Sequence, residues 1–253
     1  MQAHKIPKLI HYCWLSEEAF PELIQTCIKS WEKVLPDYEF VLWDKKKFDL
    51  STSTWVKQAY DNKKYAFAAD YIRIYSLFHF GGIYLDTDVE VLKNFDSFLY
   101  HDAFMGFESK TDIEAAVIGS MPHHPWLKDI LDYYEKRSFI KDDGTYDTKI
   151  LPVIISIISR EKYGFEPNGR YQILKNNIHI YPKDFFSPKD IRTLEIHKSI
   201  NSVTIHHFNA GWINKGLRYK LKRLIHLLLR RFGESFHLKT INIIRRFTGN
   251  SKL

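Results

Sequence analysis

Residues 8–14 read Lys8-Leu9-Ile10-His11-Tyr12-Cys13-Trp14, and residues 38–43 read Tyr38-Glu39-Phe40-Val41-Leu42-Trp43. Between them Leu23, Cys27, Ile28 and Trp31 recur at helical spacing across residues 21–34, and Pro36-Asp37 marks the turn that follows. The first run follows Pro7 and reads as a strand. The last alternates and reads as a second strand. A strand–helix–strand opening favours a parallel sheet and an α/β fold.

Outward from this opening, residues 55–79 predict a long helix or a helix pair, with Phe67, Tyr71, Ile74, Tyr75 and Phe78 as its apolar stripe. Gly81-Gly82 ends it. Ile83-Tyr84-Leu85 then reads as a short buried strand that delivers Asp86 and Asp88 to one spot, and a second apolar run, 89–92, leaves it. Two carboxylates flanking one residue can both reach a single hard divalent cation, and Mg²⁺ and Mn²⁺ prefer oxygen ligands shared with substrate phosphates. Taken alone, Asp-X-Asp reads equally as a solvated turn. Asp70 and Arg73 are three apart and share a helix face, which alone reads as an ordinary surface ion pair. Further strands are expected over 103–107, 115–119, 178–181 and 203–208, and helices over 126–134 and 149–163, the latter entered through Pro152. Asp142-Asp143-Gly144 reads as a turn.

A chain of 253 residues, 45% hydrophobic and 15% aromatic, can bury a sizeable core as one large domain or two small ones. Cys13 and Cys27 are its two cysteines, so no disulfide framework is expected, and reduced cytosolic thiols are the simplest reading. The opening residues lack the apolar core of a secretory signal, and no stretch approaches the ~20 apolar residues of a membrane-spanning helix. The net charge of +7 is uneven. Residues 215–247 hold ten Lys/Arg and one acidic residue, Glu234, a charge of +9 that leaves −2 for the rest (+7 less +9). A near-neutral body argues against nucleic acid as a partner. In the tail, Leu217, Leu221, Leu224, Ile225, Leu228 and Phe232 recur at helical spacing among Arg218, Lys222, Arg223 and Arg230. That is the pattern of a basic amphipathic helix on an anionic membrane surface, and a helix packed on its own domain reads similarly. The expected organisation is a body over 1–214 and a basic amphipathic helical tail over 215–253.

Three features converge. One is the early strand ending His11-Tyr12-Cys13-Trp14. The second is Ala69-Asp70-Tyr71-Ile72-Arg73 followed by Gly81-Gly82-Ile83-Tyr84-Leu85-Asp86-Thr87-Asp88. The third is a late His206-His207 followed by Trp212. Together they resemble glycosyltransferase family 32, which includes bacterial capsular and exopolysaccharide transferases, fungal mannosyltransferases and, more distantly, glucosylating bacterial toxins. The resemblance runs over residues 6–212 and is most specific over 67–92. It implies a glycosyltransferase-A fold, Rossmann-like with a mainly parallel sheet flanked by helices. It also implies Mn²⁺ or Mg²⁺ and retaining transfer of a sugar from a nucleotide-sugar donor to a saccharide acceptor. UDP-linked hexose or N-acetylhexosamine is the expected donor, ahead of GDP-mannose.

By position, the resemblance implies catalytic roles for Asp70, Arg73 and Asp88. Asp88 would bind the metal directly, and Asp86 the ribose or the metal. Asp70 would accept hydrogen bonds from donor-sugar hydroxyls, and Arg73 would reach the sugar or the diphosphate. Trp14 would stack on the nucleobase. His207 would supply a metal ligand or a diphosphate contact, and Trp212 would contact the diphosphate through its indole N–H. Many relatives carry a serine two positions before that tryptophan. Here Ala210 stands instead, so water or His206 would substitute for a hydroxyl ligand. Glu108 and Glu114 fit either the sugar side or the surface. No residue is marked as a nucleophile, which favours front-face substitution with the leaving phosphate taking the acceptor proton.

The implied setting is cytoplasmic and peripheral on the inner face of a membrane, extending a lipid-linked saccharide in capsule or surface-polysaccharide synthesis. A protein acceptor is the second reading. An Asp-dependent phosphatase also places Asp-X-Asp after a strand, but it wants Thr or Val two positions after the second aspartate, where Glu90 stands. A non-catalytic membrane-binding module is the alternative from another class, and the tail's position outside the Asp-X-Asp body separates the two.

Overall fold

A computed structural model of the chain describes residues 3–135, 137–191 and 193–209. Ala210, Trp212, the 214/215 boundary and the basic amphipathic tail lie outside the described residues. The described fold opens as expected, with β1 (Leu9–Cys13), α1 (Glu22–Val34) and β2 (Glu39–Trp43). β1 and β2 pair in parallel from Leu9–Glu39 to Cys13–Trp43. Of the long helix or helix pair expected over 55–79, the structure has the pair, α2 (Thr54–Asp61) and α3 (Tyr65–Phe80). Ser53 caps α2 by accepting the Val56 N–H, and Lys63 between the helices sits at φ 55°.

Gly81 and Gly82 do more than end α3. Their φ values are 65° and 103°, and a Cβ on Gly82 would stand 2.7 Å from the Leu9 carbonyl oxygen. His11 locks this corner: its Nε2 donates to the Gly81 carbonyl (2.8 Å), and its Nδ1 accepts from Trp43 Nε1 (3.1 Å). Burial pushes its pKa down to about 4, so it serves as a neutral core histidine.

β3 (Gly82–Leu85) follows, then β4 (Val89–Val91), β5 (Ala103–Phe107) and β6 (Ile113–Ser120). α4 (Pro125–Glu135), α5 (Leu151–Ile158), β7 (Gln172–Leu174), β8 (Ile178–Tyr181), α6 (Lys183–Phe186) and β9 (Thr204–His206) complete the described elements. Seven strands form one sheet in the order β2-β1-β3-β6-β5-β8-β7, while β4 and β9 pair as a separate antiparallel ribbon. β2, β1, β3, β5 and β8 run one way; β6 and β7 oppose them.

Alternation along the strands feeds two cores on opposite faces. Cys13, Tyr84, Met105, Ile178 and Ile180 pack with α2, α3, α4 and α5. Ile10, Ile83, Leu85 and Phe104 pack with Trp31 and Leu35 by α1, with Phe186 of α6, and with Val89 and Val91 of the ribbon. This α/β sheet, most of its strands co-directional and covered on both faces, fits the expected glycosyltransferase-A fold. No helix among the described residues is long and apolar enough to cross a membrane. By internal contacts the residues divide into two units, one of Met1–Lys189 with His197–Asn209, the other of Asp190–Ile196 with the chain from Ala210. The described part of the second is a tight loop closed by Asp190 N–H to Glu195 O (2.8 Å) and Leu194 N–H to Asp190 O (2.7 Å).

Candidate functional site

The C-terminal ends of co-directional strands are where ligands gather in open α/β sheets, and the motif aspartates lie at the end of β3. The Asp86 N–H donates to Ala116 O (2.9 Å), and the Val89 N–H to Asp86 O (3.0 Å), which folds residues 86–88 into a tight turn. β4 then leaves antiparallel to β9, with Val89 opposite His206. The chain after β9 closes on Asp88: the His207 N–H donates to its carbonyl (3.0 Å), and the Asn209 N–H to its Oδ2 (2.7 Å).

One ligand atom from each of Asp86, Asp88 and His206 lies within 4.8 Å of the others. His206, not His207, joins the two aspartates. Neighbouring residues in an extended chain point opposite ways, and His207 turns to Glu90, with Nε2 2.9 Å from Oε2. His206 stands between two carboxylates, with Nε2 3.4 Å from Asp88 Oδ1 and Nδ1 2.9 Å from Glu114 Oε1. Glu114 is fully buried in β6, where the apolar run 115–118 follows it. Its Oε1 accepts the Ala116 N–H (3.1 Å), and its Oε2 has no hydrogen-bond partner among the described residues. The β5–β6 pairing slips here, from Met105–Ile118 to Gly106–Glu114, so the irregular stretch re-aims these groups.

The charges are coupled. Burial opposes the Asp88 anion, yet His206 and the Asn209 amide outweigh it and hold its pKa down to about 2. Burial pushes Asp86 up against the pull of Arg73. Burial also lowers His206, but Glu114 and Asp88 drive it well above an ordinary histidine. Glu108, at the end of β5, is raised to about 7 by burial and by Glu114. Two carboxylates and an imidazole, braced from behind by a buried carboxylate, are a donor set that fits a divalent cation.

Arg73 is nearly buried and faces the aspartates. It donates to Asp86 Oδ1 (2.8 Å) and to the Ala115 carbonyl, lies 3.6 Å from Asp70 Oδ1, and stacks over Tyr84 at 4.4 Å. The Asp70–Arg73 pair is thus buried and braces Asp86. Asp70 Oδ2 accepts the Leu151 N–H at the start of α5 (3.2 Å), and burial pushes its carboxyl up to about 6. Trp14 follows β1 directly; its Nε1 donates to Glu18 O (2.8 Å), and its ring meets Phe20 edge-on at 5.0 Å. With Ser16, Asp44, Lys45 and Lys46 it lines a cavity of about 380 Å³ at the ends of β1 and β2. Trp212 and Ala210 fall outside the described residues. Sequence reasoning left Glu114 undecided and gave His206 only a substitute's part. A lone acidic residue inside the apolar run 113–118 was the available signal for the first.

A family model described as a glycosyltransferase sugar-binding region containing the DXD motif matches residues 21–105. Inositol phosphoceramide mannosyltransferase 2 of Schizosaccharomyces pombe is 33% identical over 139 residues, 53% of this chain and 39% of its own length. Mannosyl phosphorylinositol ceramide synthase CSH1 of Saccharomyces cerevisiae is 32% identical over 200 residues, 72% of this chain and 51% of its own. The chain therefore spans about half the length, or less, of the curated relatives it matches. Among solved structures, the PaToxG glycosyltransferase aligns over 62% of this chain and 69% of its own at 21% identity, with a TM-score of 0.49. Residues 21–105, which deliver both motif aspartates together with Asp70 and Arg73, thus match the DXD-containing sugar-binding region of glycosyltransferases, which supports the family 32 type expected from the sequence.

Proposed function

We propose that this chain transfers a sugar, with retention, from a nucleotide-sugar donor to an acceptor hydroxyl, and that Asp86, Asp88 and His206 hold Mn²⁺ or Mg²⁺ for the reaction. The observation that carries the reading is the convergence of those three side chains at the end of β3, beside the Trp14 cavity. A divalent cation bound there neutralises charge on the departing nucleoside diphosphate. The protein's own groups prepare the place. His206 and the Asn209 amide keep Asp88 ionised, Arg73 fixes Asp86, and Glu114 sets the orientation of His206. Asp70 is positioned to accept hydrogen bonds from donor-sugar hydroxyls, and Trp14 offers an aromatic face to the nucleobase. The acceptor oxygen attacks the anomeric carbon on the face that the diphosphate leaves.

A UDP-linked hexose or N-acetylhexosamine remains one donor reading. The relatives named as mannosyltransferases bring GDP-mannose beside it. A lipid-linked saccharide at the inner membrane face, with the basic tail as the peripheral anchor, is the proposed acceptor setting. The deciding experiment is a panel of UDP- and GDP-sugars incubated with Mn²⁺ or with chelator, reading release of the nucleoside diphosphate. One donor should be cleaved in a metal-dependent way. Asp88→Asn should lower that rate at least about a hundredfold, and a variant with full turnover would overturn the assignment of the site.

A further inference from the structure

β9 ends at His206, and the chain then turns back over Asp88. The His207 N–H donates to the Asp88 carbonyl (3.0 Å), while the His207 carbonyl accepts from Lys189 Nζ (2.8 Å). The Asn209 N–H donates to Asp88 Oδ2 (2.7 Å). Phe208, between them, has a φ of 54°. The left-handed region crowds a Cβ against the following carbonyl oxygen, so a bulky residue takes it only where its surroundings hold it there. Such strained residues cluster at functional sites.

We propose that Phe208 is a positioning residue for the divalent-cation site, and that its left-handed backbone is what aims the Asn209 amide at Asp88. The proposal rests on the reading that Asp86, Asp88 and His206 hold the cation. Its first support is spacing. Amides two residues apart in an extended chain lie about 6.6 Å from each other. Here the amides of His207 and Asn209 both reach acceptors on one residue. The turn at Phe208 draws them together, in the way that backbone N–H groups gathered by a turn hold an anion.

The second support is what the turn leaves for the cation. Asn209 takes Asp88 Oδ2, and the other oxygen, Oδ1, faces His206 Nε2 at 3.4 Å. Glu114 Oε1 stands 2.9 Å from His206 Nδ1. Each ligand is thus held by one atom and presents its other atom to the same spot. Outer partners that orient metal ligands in this way set much of a site's affinity.

The third support is what holds the strained residue. The Phe208 ring lies against the His206 imidazole, with centroids 4.1 Å apart and planes at 41°. On the other side of the turn His207 is tied by Asp88, by Lys189 and by Glu90, whose Oε2 lies 2.9 Å from His207 Nε2. Phe208 therefore meets both ligands that it aligns, His206 through its ring and Asp88 through the amide that follows it.

The test compares variants of the full chain that all lose the ring but differ in backbone freedom. Phe208→Gly and Phe208→Asn enter the left-handed region readily, whereas Phe208→Ala and Phe208→Val resist it. Mn²⁺ binding is read by calorimetry, and exchange of the Asn209 amide by NMR before metal is added. The Gly and Asn variants should bind Mn²⁺ at least about fivefold more tightly than the Ala and Val variants, because a segment that must first turn binds in proportion to its turned fraction. The Asn209 amide should exchange faster in the Ala and Val variants. A role through apolar bulk alone predicts the reverse order, with Val best and Gly worst. That reverse order, equal affinities across the variants, or one exchange rate in all of them would overturn the proposal. If Phe208→Val does not fold, the Gly and Ala variants, which differ by one methyl group, decide alone. A wild-type chain that binds Mn²⁺ without this ranking among its variants sinks only the role of Phe208. One that binds no Mn²⁺ sinks the metal-site reading and this proposal with it.

Discussion

At Asp70 a buried carboxyl is pushed up to about 6, from 3.8 for a free side chain, chiefly by burial and against the pull of Arg73. A group whose pKa rises on folding binds its proton more tightly in the folded chain. Its contribution to stability is therefore full below about 4 and is lost as pH rises through about 6. At neutral pH the ionised form costs the fold about 3 kcal/mol. Asp70→Asn should melt higher than wild type at pH 7.5, converge with it near pH 4, and transfer sugar poorly. Melting curves across that range check this, and a gap independent of pH would show that Asp70 is not the strained group. Glu114 makes a second case. Removing its charge while keeping its shape, Glu114→Gln, should weaken Mn²⁺ binding by about 10–100-fold, read by calorimetry, with the fold intact. A purely structural Glu114 would leave that affinity unmoved. The sequence showed Asp86 and Asp88 because they flank a single residue and follow an apolar strand. It named His207 as the ligand where the structure brings in His206, because that choice depends on which residue of β9 faces Val89, a pairing set more than a hundred residues away.

The elements that hold the site are bound by long-range contacts of the same kind. Trp31 on α1 donates through Nε1 to the Val89 carbonyl (2.6 Å), and the neighbouring Ser30 Oγ accepts the Val91 N–H (2.9 Å). α1 thereby secures one side of β4, and β9 pairs with the other. Trp31→Phe leaves a buried carbonyl unpaired, which costs about 1–3 kcal/mol. It should lower the melting temperature by about 2–4 °C per kcal/mol and weaken Mn²⁺ binding along with it. Loss of stability at unchanged metal affinity would mean that α1 does not position the Asp-X-Asp turn. Most elements were legible because their apolar spacing is strong, as in β1, α1, β3 and α3. The break at residues 62–64 was legible only as one of two readings, since Asn62-Lys63-Lys64 is polar in the way of either a short turn or the exposed face of a continuous helix. β6 runs antiparallel to β5 because the five residues between them are too few for a parallel crossover, a cue that connection length offered. β7 has three residues and no periodicity to read.

Across the whole molecule, charge divides sharply along the sequence: +9 in residues 215–247 and −2 in the rest. A near-neutral body with an acidic cluster around Asp86, Asp88 and Glu114 has little reason of its own to approach an anionic bilayer. Each Lys or Arg at such a surface contributes about 1 kcal/mol, and that attraction fades over a Debye length as salt rises. Ten of them, interleaved with Leu217, Leu221, Leu224, Ile225, Leu228 and Phe232, therefore predict adsorption that combines salt-sensitive attraction with salt-resistant apolar burial. The full chain should sediment with vesicles containing anionic lipid, lose part of that binding at high salt, and bind pure phosphatidylcholine vesicles weakly. A chain ending after Trp212 should lose the sedimentation while still releasing nucleoside diphosphate from the correct donor, because it keeps Asp86, Asp88, His206 and Asn209, the described residues that converge at Asp88. Equal sedimentation of the two chains would place the membrane affinity in the body and remove the tail from the account.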